Sequence, residues 1–201
     1  MQRIGIMGGT FNPIHKGHLA LAQAALLEFG LSRVIFIPSG NPPHKAENNV
    51  ADKEDRFKMV KLAIKKHKKF IASRIEINRQ GYSYAVDTFK DLRRKYGKSA
   101  KLYYIMGLDS INEILDWKKP LELFKMTEFI VGTRPGSKIR TFRRLLKFPP
   151  LAKHIEKIHL MELNEDISAS DIRAQLKNSK SVRKIVPTAV LKYIKERKLY
   201  Q

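Results

Sequence analysis

Gly8-Gly9-Thr10-Phe11-Asn12-Pro13-Ile14-His15-Lys16-Gly17-His18 follows directly on the first apolar run of the chain, Arg3-Ile4-Gly5-Ile6-Met7. The run is apolar and bounded by glycines, which predicts a short buried strand over Arg3–Met7. From Gly17 to Phe29 the residues Leu19, Ala22, Leu26 and Leu27 recur at helical spacing, which predicts a helix. Between the two lies a loop in which Gly8 and Gly9 let a ligand come close to the backbone. The helix start points unpaired N–H groups outward, and its macrodipole favours negative charge there. His15 and His18, three residues apart at that start, can face one ligand together. Strand, glycine loop, paired imidazoles and helix start describe a phosphate-binding unit.

It is not one of the commoner phosphate loops. The chain has no G-x-x-x-x-G-K-[ST], and the loop is not G-x-G-x-x-G. Outward from this unit, apolar segments alternate with helical patterns, the mark of an α/β fold with a parallel sheet. Further strands are expected at Val34–Pro38, Phe70–Ser73, Leu102–Met106, Glu128–Gly132 and Ile158–Glu162. Further helices are expected at Lys53–His67, Tyr84–Tyr96, Leu108–Leu115, Lys138–Lys147, Ser170–Lys177 and Thr188–Arg197. No internal repeat, low-complexity tract or linker interrupts them, and Phe148-Pro149-Pro150 reads as a surface turn. The 201 residues therefore read as one domain, able to bury roughly 70% of its unfolded surface. In such sheets ligands sit beyond the carboxyl ends of the strands, at the switch point.

Forty Lys and Arg against nineteen Asp and Glu give a net charge of +21, which favours polyanionic partners. The basic clusters at Lys65–Lys69, Arg93–Lys98, Lys138–Lys147 and Lys177–Lys198 fall on the polar faces of predicted helices. No RNA- or DNA-binding motif accompanies them, so charge alone identifies no partner. No apolar run approaches a membrane span, the N-terminus lacks a signal-peptide core, and no cysteine offers a disulfide or thiolate site. A cytoplasmic protein with no membrane partner is expected, its oligomeric state (monomer or homodimer) left open.

Four further motifs each fall after a predicted strand or at a helix start. Pro38-Ser39-Gly40-Asn41-Pro42-Pro43-His44-Lys45 is a proline-stiffened loop ending in two potential cations; it is either a phosphate contact or a solvated turn. Ser83-Tyr84-Ala85-Val86-Asp87-Thr88 opens a helix, where first-turn amides and the Thr88 hydroxyl could bind a carboxylate or phosphate, or simply cap the helix. Gly107-Leu108-Asp109 places a carboxylate just past a strand, suited to ribose hydroxyls, with Trp117 offering a face for an aromatic ring. In Ile167-Ser168-Ala169-Ser170-Asp171-Ile172-Arg173, Ser170 suits an N-cap and Arg173 brings a planar fork beside the amides.

Taken together these motifs resemble one family, the bacterial nicotinate-mononucleotide adenylyltransferases of the nucleotidylyltransferase superfamily. That family carries Gly-Gly-Thr-Phe-Asp/Asn-Pro-x-His-x-Gly-His, Pro-x-x-x-Pro-Pro-His-Lys, Ser-Tyr-x-x-Asp-Thr, Gly-x-Asp leading to Trp, x-Arg-Pro-Gly, and Ile-Ser-[Ser/Ala]-[Ser/Thr]-x-[Ile/Leu]-Arg. Here they stand in order as Gly8–His18, Pro38–Lys45, Ser83–Thr88, Gly107–Asp109 with Trp117, Thr133–Gly136 and Ile167–Arg173. Ala85 is the one departure, since many members have threonine there.

The resemblance implies a Rossmann-like doubly wound parallel sheet with flanking helices. It also implies transfer of AMP from ATP to nicotinate mononucleotide, giving deamido-NAD and pyrophosphate. Gly8, Gly9, Thr10, Phe11, His15, His18, Gly107, Asp109, Arg134, Ser168, Ser170 and Arg173 would bind ATP. Lys45, Tyr84, Thr88 and Trp117 would bind the mononucleotide, and His15, His18, Lys45 and Arg173 would serve catalysis. Mg2+ would arrive on ATP and keep its waters, with no dedicated protein ligands. The nucleophile is the substrate's own phosphate, so no general base is needed. Sister enzymes acting on nicotinamide mononucleotide, pantetheine phosphate or choline phosphate remain alternatives. So does a basic nucleic-acid-binding protein that kept the fold and lost the activity.

Overall fold

The computed structural model describes residues 1–43, 50–133, 147–163 and 167–201. Among them six strands, β1 (Arg3–Gly9), β2 (Arg33–Pro38), β3 (Phe70–Ala72), β4 (Lys101–Gly107), β5 (Glu128–Thr133) and β6 (Ile158–Glu162), form one sheet. Every pairing is parallel and the spatial order is β3-β2-β1-β4-β5-β6. This is the doubly wound arrangement, in which the chain reverses its direction of travel between β1 and β4.

Helices cover both faces, so the central strands are apolar on both sides. Val34 and Phe36 of β2, Tyr103 and Ile105 of β4 and Ile130 of β5 share one face. They pack with Leu21 of α1 (Lys16–Glu28), Met59 of α2 (Lys53–Ile64), Ile172 of α7 (Ala169–Lys177) and Ile194 of α8 (Thr188–Glu196). Ile4, Ile6, Ile35, Ile37, Leu102, Tyr104, Phe129 and Val131 alternate onto the other face. There they meet Phe89 of α3 (Ala85–Tyr96), Ile111 of α4 (Leu108–Asn112), Phe124 of α5 (Pro120–Met126) and Leu151 of α6 (Pro149–Ala152). Each fully buried aliphatic or aromatic side chain contributes about 1.5–3 kcal/mol relative to exposure.

The register explains where a ligand can enter. β1 pairs with β2 as far as Gly9 opposite Pro38, and β4 pairs with β5 as far as Gly107 opposite Gly132. Between them, the β1–β4 ladder stops at Ile6 opposite Tyr104. The two central strands thus continue beyond their shared ladder, and the gap opens at the switch point.

Each expected strand is present to within a residue or two. Leu27, counted toward the apolar stripe of the first helix, is 72% exposed; Ala22 and Leu26, counted with it, are buried, and Leu21 and Ala25 join them. The turn expected at residues 148–150 is in fact the start of α6, with both prolines in its first turn and Leu151 fully buried. Proline at a helix start gives up only an N–H that would have no partner there. The helix expected over 53–67 stops at Ile64, and that expected over 108–115 breaks into α4 and a 3-10 turn at Ile114–Asp116. Apart from Lys147, the helix expected over 138–147 lies outside the described residues.

Candidate functional site

Beyond the carboxyl ends of β1 and β4 lies a cavity of about 360 Å3. It is lined after β1 by Gly8 to Asn12 and His18, and also by Tyr84, Ala85, Trp117 and Lys118. Tyr104, Met106 and Gly107 line it from β4. Gly107 is exposed, and a Cβ built there would meet nothing within 4 Å. Packing therefore does not demand this glycine; its lack of a side chain keeps the mouth open for a flat ligand.

The two histidines separate. His18 lines the cavity, its ring edge-on to Phe11 at 5.0 Å. His15 is 6% exposed, is not part of the cavity wall, and lies behind His18 with ring centroids 3.7 Å apart. The main-chain N–H of His15 donates to Nδ1 of His18 across 3.3 Å. In return, the His18 N–H bonds the His15 carbonyl oxygen at 3.1 Å rather than its ring, leaving the buried His15 Nδ1 without a hydrogen-bond partner among the described residues. Burial lowers the His15 pKa to about 4, so the ring is neutral at pH 7.

α7 starts against the same cavity through Ala169. Its N-cap is Ser168, whose hydroxyl accepts the Ser170 N–H at 3.2 Å, and not Ser170 as the spacing predicts. Arg173 turns one guanidinium nitrogen to the Asn12 carbonyl (2.9 Å) and the other to the Ser170 hydroxyl (3.2 Å). It is tied to the loop after β1, though it is not itself part of the wall. Asp109, in the first turn of α4, is exposed, while its neighbour Ser110 faces the cavity.

Trp117 is half-buried, 6.1 Å from Tyr104. Lys118 sits 4.3 Å over the Tyr84 ring and pairs with Asp87 at 3.1 Å. Thr88 is 2% exposed and outside the wall. Its hydroxyl donates to Glu76 Oε1 at 2.6 Å and accepts from Arg79 at 2.8 Å. Lys45 and Arg134 lie outside the described residues.

Sequence reasoning assigned nothing to Glu76, Arg56 or Tyr200. Glu76 lines the cavity, and desolvation raises its pKa against the hydroxyls of Thr88 and Ser83 and the charges of Arg79 and Arg56. Arg56 is 1% exposed and bonds three backbone carbonyls. The Tyr200 hydroxyl donates to Asn12 Oδ1 at 2.8 Å from the far end of the chain. None of these carries a local pattern that separates it from a surface residue.

The profile of the cytidylyltransferase-like family matches residues 6–175. A curated protein of Moorella thermoacetica, named "probable nicotinate-nucleotide adenylyltransferase", is 46% identical over 201 residues, covering 99% of this chain and 92% of its own length. One of the same name from Thermoanaerobacter sp. (strain X514) is 43% identical, with 99% and 94% covered. Among solved structures, Plasmodium falciparum nicotinic acid mononucleotide adenylyltransferase complexed with NaAD superposes with a TM-score of 0.80. It is 20% identical, with 100% of this chain and 98% of that one covered, a likeness of fold.

Proposed function

The chain belongs to the cytidylyltransferase-like family, and on that premise we propose that it joins the AMP of ATP to nicotinate mononucleotide, releasing pyrophosphate and forming nicotinate adenine dinucleotide. The observation that carries this reading is one cavity beyond the sheet whose lining combines two chemistries. One is an anion site of backbone, Thr10 and His18; the other is aromatic, with Tyr84 and Trp117 beside the start of α3.

ATP fits with its phosphates over residues 8–12 and the start of α1, where amides and macrodipole favour negative charge. Because Nδ1 of His18 accepts a main-chain N–H, the ring carries its proton on Nε2, which acts as a donor. The pyridine ring of the mononucleotide stacks at Trp117 and Tyr84, a face-to-ring contact that suits a flat heterocycle. Its carboxylate meets the start of α3 through Ala85, with Lys118 adding positive charge that Asp87 partly offsets. That field favours the acid over the amide. Thr88, engaged by Glu76 and Arg79, supports this helix start from beneath. Arg173 holds the phosphate loop through Asn12, and Asp109 (for the ribose of ATP), Lys45 and Arg134 are assigned from their motifs alone.

The reaction is one in-line displacement. An oxygen of the mononucleotide phosphate attacks the α-phosphorus of ATP, the bond from that phosphorus to the bridging oxygen breaks, and pyrophosphate leaves with the electron pair. The attacking phosphate is largely a dianion at neutral pH, its second pKa being about 6, so no base has to be supplied. Alignment and stabilisation of the departing charge supply the rate. No three of His, Cys, Asp and Glu stand together as a metal cage among the described residues. The donors at the phosphate end are amides, a hydroxyl and an imidazole, a set that complements phosphate oxygens. It fits a Mg2+ ion carried on the triphosphate, where the ion would add positive charge to the leaving group.

The test is pyrophosphate release from ATP with nicotinate mononucleotide, nicotinamide mononucleotide or pantetheine phosphate. Turnover with the first well above the other two is expected; turnover with pantetheine phosphate alone, or with none, overturns the reading.

A further inference from the structure

We propose that Arg56 is a positioning residue for this transfer, its buried guanidinium fixing the spacing between the loop after β1, where the ATP phosphates are placed, and the loop after β2, which borders the same cavity. The inference rests on the reaction assigned above.

Arg56 leaves α2 and ends between three backbone segments. Nη1 donates to the Thr10 carbonyl at 2.8 Å, Nη2 to the Gly40 carbonyl at 3.0 Å and Nε to the Ala51 carbonyl at 2.9 Å. Thr10 belongs to the phosphate end of the cavity. Gly40 belongs to the loop after β2, which lines the same cavity through Ser39, Pro42 and Pro43. One planar cation therefore bridges the walls that follow β1 and β2, in a position 1% exposed to solvent. The geometry needs a fork: the three carbonyls are met by three separate nitrogens of one plane, whereas the three donors of lysine radiate from a single nitrogen and cannot span them.

The far side of the second loop is held separately. The Ser83 hydroxyl accepts the Gly40 N–H at 2.9 Å and the Asn41 N–H at 3.3 Å, and the Ser83 N–H donates to the Asn41 carbonyl at 2.8 Å. The loop thus stays attached to the start of α3 when Arg56 is changed, and at its root to β1 through the Ser39 N–H and the Gly9 carbonyl (2.9 Å), while from Gly40 onward it loses its tie to Thr10. Both half-sites survive and their mutual alignment does not. A misplacement of about 1 Å in an aligned transfer costs on the order of 100-fold in rate. The loss belongs in kcat, with each KM little changed.

The experiment compares Arg56→Lys and Arg56→Gly with the unaltered enzyme. It reads kcat, KM for ATP, KM for nicotinate mononucleotide and Tm, and repeats the Arg56→Gly assay with added guanidinium ion at non-denaturing concentration. For Arg56→Lys, kcat about 100-fold lower with both KM values within about threefold is expected. For Arg56→Gly, guanidinium is expected to restore at least a tenfold part of kcat while having no effect on the unaltered enzyme. The proposal is overturned if kcat stays within threefold, if the loss lies in KM, if guanidinium raises Tm without raising turnover, or if neither variant folds. An unaltered enzyme that releases no pyrophosphate would instead remove the reaction itself, a separable result.

Discussion

The main-chain N–H of His15 donates to Nδ1 of His18, 3.3 Å away, at the point where the loop after β1 becomes a helix. One histidine thereby orients the other: the backbone of the first sets the tautomer of the second, whose ring stands in the cavity wall. His18→Ala is expected to lower kcat by about 100- to 1000-fold, the cost of one donor to developing charge, while KM for ATP moves less than about threefold. Steady-state kinetics over both substrates checks this. Equal losses in kcat and affinity would place His18 in ground-state binding.

His15 itself makes folding stability depend on pH. Its pKa is about 4 when folded against 6.5 for the ordinary side chain, so the unfolded chain takes up the proton first. Above pH 6.5 neither state is protonated and nothing is lost. As pH falls from 6.5 toward 4 the folded state loses up to about 3 kcal/mol relative to the unfolded one. Urea unfolding of the native protein and of His15→Gln at pH 7 and pH 5 should show a smaller pH effect in the variant. Parallel curves would contradict this.

Tyr200 reaches across the chain to Asn12, which also accepts the Ala51 N–H through the same oxygen at 3.0 Å. The C-terminus thus braces the phosphate loop. Tyr200→Phe keeps the ring and removes the bond, and is expected to cost about 1 kcal/mol of stability. KM for ATP should rise with it. Chemical denaturation together with an ATP titration measures both, and an unchanged KM would confine Tyr200 to stability.

Gly40 is packed against backbone and not against a side chain. A Cβ there would lie 2.3 Å from the Glu76 carbonyl oxygen, a clash no rotamer can relieve. Gly40→Ala is expected to destabilise by about 1–3 kcal/mol and to displace the loop after β2. KM for the mononucleotide should rise more than KM for ATP, because the loop after β2 is tied through Gly40 and Asn41 to Ser83 at the start of α3, where the mononucleotide is placed. Thermal denaturation and initial rates would decide it.

The strands were legible because burial on both faces leaves a short apolar run with glycine or proline at its ends, as in Val34 to Pro38. The loop after β1 was legible because its chemistry is contiguous: eleven consecutive residues carry the glycines, the histidines and the helix start. The first helix was harder to read in detail, and Leu27 shows why: periodicity gives a face but not its edge. Ser168 and Ser170 are both acceptable caps, and only the path of the chain into α7 chose between them.

By itself, then, the sequence determined the parallel α/β architecture and the glycine-histidine loop after β1 that lines the cavity, since these follow from local periodicity and from a contiguous motif. Tertiary structure alone decided which of two adjacent imidazoles faces the cavity and that the Thr88 hydroxyl of α3 is engaged by Glu76 and Arg79. It also decided that Arg56 and Tyr200, separated from the loop they brace by 46 and 188 residues, are part of the site. The physical reason is range: spacing encodes a residue's neighbours along its own element, whereas the partner of a buried polar group is set by how distant elements pack.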